Sequence, residues 1–128
     1  MNLLLDTHTA LWWWDEHQRL SATAKSALRA SGNHIYFSAA SAWEIATKHR
    51  LGKLPIPTDL LSGLERAIAN EGWTPLPVGI EHARLAGSWS VNHRDPFDRM
   101  LAAQSKLEHL TLVTLDNAFK EFKIRVLW

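Results

Sequence analysis

The sequence predicts an α/β sandwich on a mainly parallel sheet, and three observations carry that expectation. Short apolar runs alternate with segments of helical periodicity along almost the whole chain. Residues that start helices follow three of those runs directly, at Asp6, Ser38 and Asp116. With 46% hydrophobic residues in 128 positions, the chain can build one core and not two, so a single domain over residues 1–128 is expected.

Taken in order, Leu3-Leu4-Leu5 reads as a buried strand ending at Asp6, with a helix carrying Ala10 to Trp14 after it. Ser21 caps a second helix, Ala22 to Ala30, closed by Ser31-Gly32-Asn33. Ile35-Tyr36-Phe37 is the next strand, and Ser38 caps a helix to about Arg50. Gly52, Pro55 and Pro57 break the chain. From Thr58 or Asp59 one helix carries Leu60, Leu61, Leu64 and Ile68 on a single face and stops at Asn70-Glu71-Gly72. Trp73 to Val78 is a weaker strand, placed at a sheet edge because Pro75 and Pro77 cannot donate to a ladder. Ile80 to Ala86 is helical, 87–94 is a polar loop, and Asp95-Pro96 opens a helix to about His109. Strands at Thr111–Leu115 and Ile124–Leu127 flank a short helix over Asn117–Phe122. No repeat or low-complexity tract interrupts the pattern.

Composition removes several chemistries. Without cysteine there is no disulfide, no thiolate nucleophile and no cysteine-based metal site. The seven histidines include no pair at i,i+3 or i,i+4, so a helical zinc motif is absent. A net charge of +1 does not announce a polyanion partner, and any such affinity must come from local patches or a bound cation. MNLLLD lacks a basic leader region and no apolar run is long enough to cross a membrane, so a cytoplasmic protein is expected.

Two strands, LLLD and TLVTLD, end on an aspartate, and in parallel sheets ligands bind beyond the carboxyl ends of the strands. Asp6 and Asp116 can therefore face one crevice, although an aspartate there can equally cap the next helix. Glu44 lies two turns into its helix beside Ala40 and Trp43, with Lys48 available as an i,i+4 partner. In DPFDRMLAAQS, Asp95 suits the N-cap and Asp98 the third helical position, so both acids also serve helix initiation. Three or four carboxylates in one cleft repel one another unless a cation neutralises them, and hard oxygen donors suit Mg²⁺ or Mn²⁺. Such a centre activates water and stabilises charge on phosphorus oxygens.

LLLDTHTALWW, FSAASAWEIATKHRLGKL, DPFDRMLAAQS and LVTLDNAF, in this order, resemble the motifs of PIN-domain proteins, and among them the VapC-like toxins of bacterial type II toxin–antitoxin systems. The resemblance covers nearly the whole chain. It implies a three-layer sandwich with a mainly parallel five-stranded sheet and an acidic pocket holding Mg²⁺ or Mn²⁺, formed by Asp6, Glu44, Asp98 and Asp116 with support from Thr114; Asp95, the cap beside Asp98, is a further supporting residue. It also implies cleavage of single-stranded or loop RNA, a cognate antitoxin and a homodimer.

Basic residues near the motifs fit an RNA track: Lys48, Arg50 and Lys53 after the Glu44 helix, and His93, Arg94 and Arg99 around Asp98. Each can equally be a solvated surface charge. Trp12-Trp13-Trp14 cannot all enter one core, because consecutive helical residues fan roughly 100° apart, so one of them is expected at a surface or interface, and contact with a dimer mate or antitoxin suits it. Trp43 is expected in the core. Two other readings share these features: a non-catalytic RNA-binding domain of the same fold, and a flavodoxin-like phospho-acceptor domain.

Overall fold

The computed structural model describes every residue from Met1 to Trp128. Its sheet has five strands, β1 (Asn2–Leu5), β2 (His34–Ser38), β3 (Thr74–Leu76), β4 (Thr111–Val113) and β5 (Val126–Leu127), in the spatial order β3-β2-β1-β4-β5. Every neighbouring pair is parallel, with Leu3 beside Ile35 on one side and Leu4 beside Leu112 on the other. β3 is an edge strand, as expected from Pro75 within it.

The alternation of side chains along the strands divides the core in two. Leu3, Leu5, Ile35, Phe37 and Val113 pack on one face against residues of α1 (Thr7–Trp14), α2 (Ala22–Arg29) and α5 (Leu64–Asn70). Leu4 and Leu112 point to the opposite face, where Leu101 and Ala102 of α7 (Pro96–Leu107) and Phe119 and Phe122 of a 3-10 turn (Asn117–Phe122) cover them. Helices on both faces of a parallel sheet give the expected three layers.

Several boundaries differ from the expectation. The single helix expected after Pro57 is two, α4 (Thr58–Ser62) and α5, separated at Gly63, where an added Cβ would lie 3.1 Å from the Asp59 carbonyl oxygen. α1 starts at Thr7, a turn earlier than expected, and α6 (Ile80–Ser88) runs two residues further. α7 stops at Leu107, because His109 adopts a positive φ of 54°.

Trp43 is not in the core: it is 57% exposed and meets Phe97 edge-on. The buried face of α3 (Ala39–Arg50) is Ala40, Ser41, Glu44 and Ile45, and Trp43 falls beside that stripe. Trp12, Trp13 and Trp14 are all half-buried, so none is wholly committed to either side. Trp14 packs on Phe37 and Trp73, Trp12 meets Trp128, and Arg29 lies over Trp13.

Candidate active site

The chain builds outward from β1 in one direction through β2 and β3, then returns to the other side of β1 with β4 and β5. The strand order therefore reverses between β1 and β4, where parallel sheets open a crevice at their carboxyl ends. Asp6 follows β1 there, with its backbone N–H on the Val113 carbonyl, and Thr114 follows β4. The Thr114 hydroxyl donates to Asp6 Oδ2 at 2.7 Å. A cavity of about 320 Å³ opens at this point, and Asp6, Glu44, Asp95, Asp98 and Asp116 all line it.

α3 delivers Glu44 to the cavity. Ser38 caps this helix by accepting from the Ala40 N–H, and its own hydroxyl donates to the fully buried Gln104 of α7. Gln104 in turn donates to the Pro77 carbonyl, so the helices bearing Glu44 and Asp98 are fixed relative to each other by a buried polar relay. Glu44 is only 3% exposed. Thr7 donates to its Oε1 at 2.6 Å, and Lys48 donates to Oε2 at 2.5 Å. The i,i+4 pair anticipated as a surface contact is thus part of the cavity wall. Burial alone would lower the Lys48 pKa, but the hydrogen bond and charge of Glu44, aided by Asp95 and Asp98, raise it overall.

Asp98 stands at the start of α7, where Asp95 caps the helix by accepting the Asp98 N–H at 3.0 Å. His93 Nε2 sits 2.9 Å from Asp98 Oδ2. Burial pushes the Asp98 carboxyl up to about 7 against the opposing bond from His93, and the charges of Asp95, Asp6 and Glu44 add to the rise. Burial likewise raises Asp6 to about 6, opposed by Thr114 and His8 and reinforced by Glu44. The pocket holds more negative charge than its own protein partners neutralise.

Asp116 is exposed at the cavity edge and caps the 3-10 turn by accepting from the Ala118 N–H. No three acidic or histidine side chains close into a ready-made metal cage. A pocket with five carboxylates in its lining, two of them disfavoured as anions, nevertheless fits a hard divalent cation, which keeps waters and takes one or two carboxylates together with phosphate oxygens.

Of the basic residues expected on an RNA track, Lys48 lines the cavity, while Arg50, Lys53 and Arg94 are exposed and lie outside its lining. Arg99 is a correction. Its guanidinium is turned inward onto the carbonyls of Ala86, Trp89, Val91 and His93 at 2.5 to 2.8 Å, so it is not free to meet a phosphate. His8 and Arg19 also line the cavity and were not foreseen. His8 lies two residues after Asp6 in the DTHT run, which could have marked it, whereas nothing in the sequence around Arg19 does.

A parallel sheet whose reversal point gathers strand-end and helix-borne carboxylates defines an α/β protein with an acidic pocket. The chain belongs to the PIN domain family, whose model matches residues 3–124. It is similar to Ribonuclease VapC16 of Mycobacterium tuberculosis (strain ATCC 25618 / H37Rv), with 42% identity over 85 residues, 61% of this chain and 60% of that protein. The chain thus matches less than two thirds of that relative's length. Ribonuclease VapC22 of the same organism is 29% identical over 124 residues, 94% of this chain and 92% of that protein. Among solved structures, a chain of VapBC2 from Rickettsia felis bound to a DNA fragment from its promoter superposes with a TM-score of 0.71 at 17% identity, over 99% of this chain and 98% of that one. At this identity the likeness speaks for the fold.

Proposed function

We propose that this chain is a divalent-metal-dependent endoribonuclease and the toxin of a type II toxin–antitoxin pair, acting in the cytoplasm on single-stranded or loop RNA. The observation that carries the reading is the convergence of Asp6, Glu44 and Asp98, from a strand end and two helices, on one crevice at the sheet's reversal point. The names of the curated relatives support it. Asp6 and Asp98 would hold Mg²⁺ or Mn²⁺, with Glu44 beside them and Asp116 at the rim. When bound, the ion supplies an activated water nucleophile and charge stabilisation at the phosphodiester.

The chain's own groups do the rest. Thr114 fixes one oxygen of Asp6 and His93 one oxygen of Asp98, so each carboxylate is held in orientation at the cavity wall. Lys48 places an ammonium at the wall of an otherwise acidic pocket, where it can meet a phosphate oxygen. The cognate antitoxin would supply an arginine or lysine to the cleft and cover apolar surface beside Trp12. There Leu11, Leu54, Ile56 and Leu60 border a cavity of about 240 Å³. A homodimer is part of the same reading.

The test is cleavage of a mixed RNA substrate with Mn²⁺ and with chelator. Cleavage that needs the metal and disappears in Asp98→Asn is the expected result. RNA left intact by the wild-type protein in Mn²⁺, or cut equally well by Asp98→Asn, would overturn the reading.

A further inference from the structure

We propose that Arg99 and His93 form a positioning pair that sets the orientation of the Asp98 carboxylate, and that Arg99 acts on the cleft through the loop it holds and not through RNA. The inference rests on the metal-dependent reading of the cleft given above. Between the end of α6 at Ser88 and the start of α7 at Pro96 the chain has no repeating hydrogen-bond ladder of its own. Three of its carbonyls, together with that of Ala86 in the last turn of α6, instead converge on a single side chain. Arg99 Nε donates to Ala86 at 2.6 Å, Nη1 to Val91 at 2.8 Å and His93 at 2.7 Å, and Nη2 to Trp89 at 2.5 Å. Four of the five N–H donors of the guanidinium are thereby used on backbone.

The last of those carbonyls belongs to His93, the residue whose ring reaches Asp98. The ring packs against the touching pair Phe119 and Phe122, with centroids 6.3 and 5.4 Å away, and its Nε2 lies 2.9 Å from Asp98 Oδ2. Backbone held by Arg99 and ring held by two phenylalanines leave the imidazole little freedom. One oxygen of Asp98 is accordingly pinned at the cavity wall. Arg99 lies one residue after Asp98 on α7, so the loop is tied to the helix that carries the carboxylate. A lysine cannot replace this fork, because one ammonium cannot span four carbonyls in a plane.

The experiment is calorimetric titration of the folded protein with Mn²⁺, alongside kcat and KM for RNA cleavage. Arg99→Lys and His93→Ala are each expected to weaken Mn²⁺ binding by roughly 10-fold or more, the usual effect of removing a group that orients a ligand. In both, the loss of activity should fall on kcat and leave KM little changed. His93→Gln, which keeps a donor near the Nε2 position, should recover most of the affinity. The double variant Arg99→Lys/His93→Ala should be no weaker than His93→Ala alone, since both changes cut the same link.

A merely structural Arg99 would lower the melting temperature and leave Mn²⁺ affinity unmoved, which would overturn the proposal. Additive losses in the double variant, or wild-type affinity in His93→Ala, would do the same even if Arg99→Lys failed to fold. Wild-type protein that neither binds Mn²⁺ nor cuts RNA would instead remove the underlying reading of the cleft, and the inference with it.

Discussion

Asp6 and Asp98 are carboxyls raised to about 6 and about 7 in the folded chain, first by burial and then by neighbouring acids, Glu44 for Asp6 and Asp95, Asp6 and Glu44 for Asp98. An amide at either position keeps the oxygen that Thr114 or His93 needs as acceptor and removes the charge that the pocket resists. Asp6→Asn and Asp98→Asn are therefore expected to fold, to bind Mn²⁺ poorly and to lose RNA cleavage by more than roughly 100-fold. That loss corresponds to several kcal/mol of metal-supplied stabilisation at ~1.4 kcal/mol per factor of ten. Near wild-type cleavage by either variant would remove that residue from the site. Asp95→Asn is the contrast: its carboxylate accepts the Asp98 N–H, and asparagine caps a helix about as well, so cleavage should stay within a few-fold of wild type. A loss as deep as that of Asp98→Asn would place Asp95 among the metal ligands. Asp6, Asp98 and Asp116 were legible because strand-end and helix-start positions carry a directional meaning, whereas Glu44, two turns into its helix, was marked chiefly by the family resemblance. Their partners were not: Thr7 on Glu44 and His93 on Asp98 are contacts made across the fold or through an irregular loop. Arg99 was misread because a charged residue beside a motif suggests solvent, and nothing in sequence shows four carbonyls turning toward it.

At the scale of elements, the contact between α6 and α7 decides where the loop bearing His93 begins and ends. His82 of α6 is 6% exposed. Its Nδ1 accepts the Gly79 N–H at 2.9 Å, so Nε2 carries the proton and donates to Glu108 just past the end of α7. The one ring caps the start of α6 and ties it to the far end of α7. His82→Leu keeps the bulk but strands the Gly79 donor, with an expected cost of about 1–2 kcal/mol, measurable by urea unfolding. Unchanged stability would mean that water replaces the ring at no cost. Five strands in parallel register and helices on both faces could be read from the alternation of apolar runs. The division of the helix after Pro57 could not, because the apolar spacing of Leu60, Leu61, Leu64 and Ile68 continues through Gly63. What separates α4 from α5 is the backbone of Gly63, which leaves the helical region at φ −107° and ψ 24°, a departure that periodicity does not encode. Trp43 shows the converse: a large aromatic beside a buried acid suggests core, yet the inward directions of α3 are already taken by Glu44 and Ile45.

For the molecule as a whole, the two raised carboxyls link the cleft to global stability. Their folded-state values lie above the ordinary 3.8, so the folded chain binds more protons than the unfolded one from about that pH to about 7. Their contribution therefore favours folding at low pH, declines as pH rises through that window, and is lost above about pH 7. Metal-free wild type is expected to lose stability relative to Asp98→Asn between about pH 4 and about pH 7, as read from the difference in melting temperature. Mn²⁺ should reverse the order at the higher pH, because it binds the ionised wild-type pocket and only weakly the amide. A difference that is flat with pH would mean that Asp98 is not held protonated.

The bond between Thr114 and Asp6 joins residues 108 positions apart, and the one between Thr7 and Glu44 spans 37. No contiguous stretch of the chain contains the cleft. During synthesis, β1, α1 and α3 can exist while β4 and α7 are still to be made, and until those arrive Asp6 has neither its Val113 nor its Thr114 partner. Closing such distant contacts is a late event in folding. On the proposed reading, a growing chain cannot cut RNA until the last third of the sequence has folded against the first and completed the cleft.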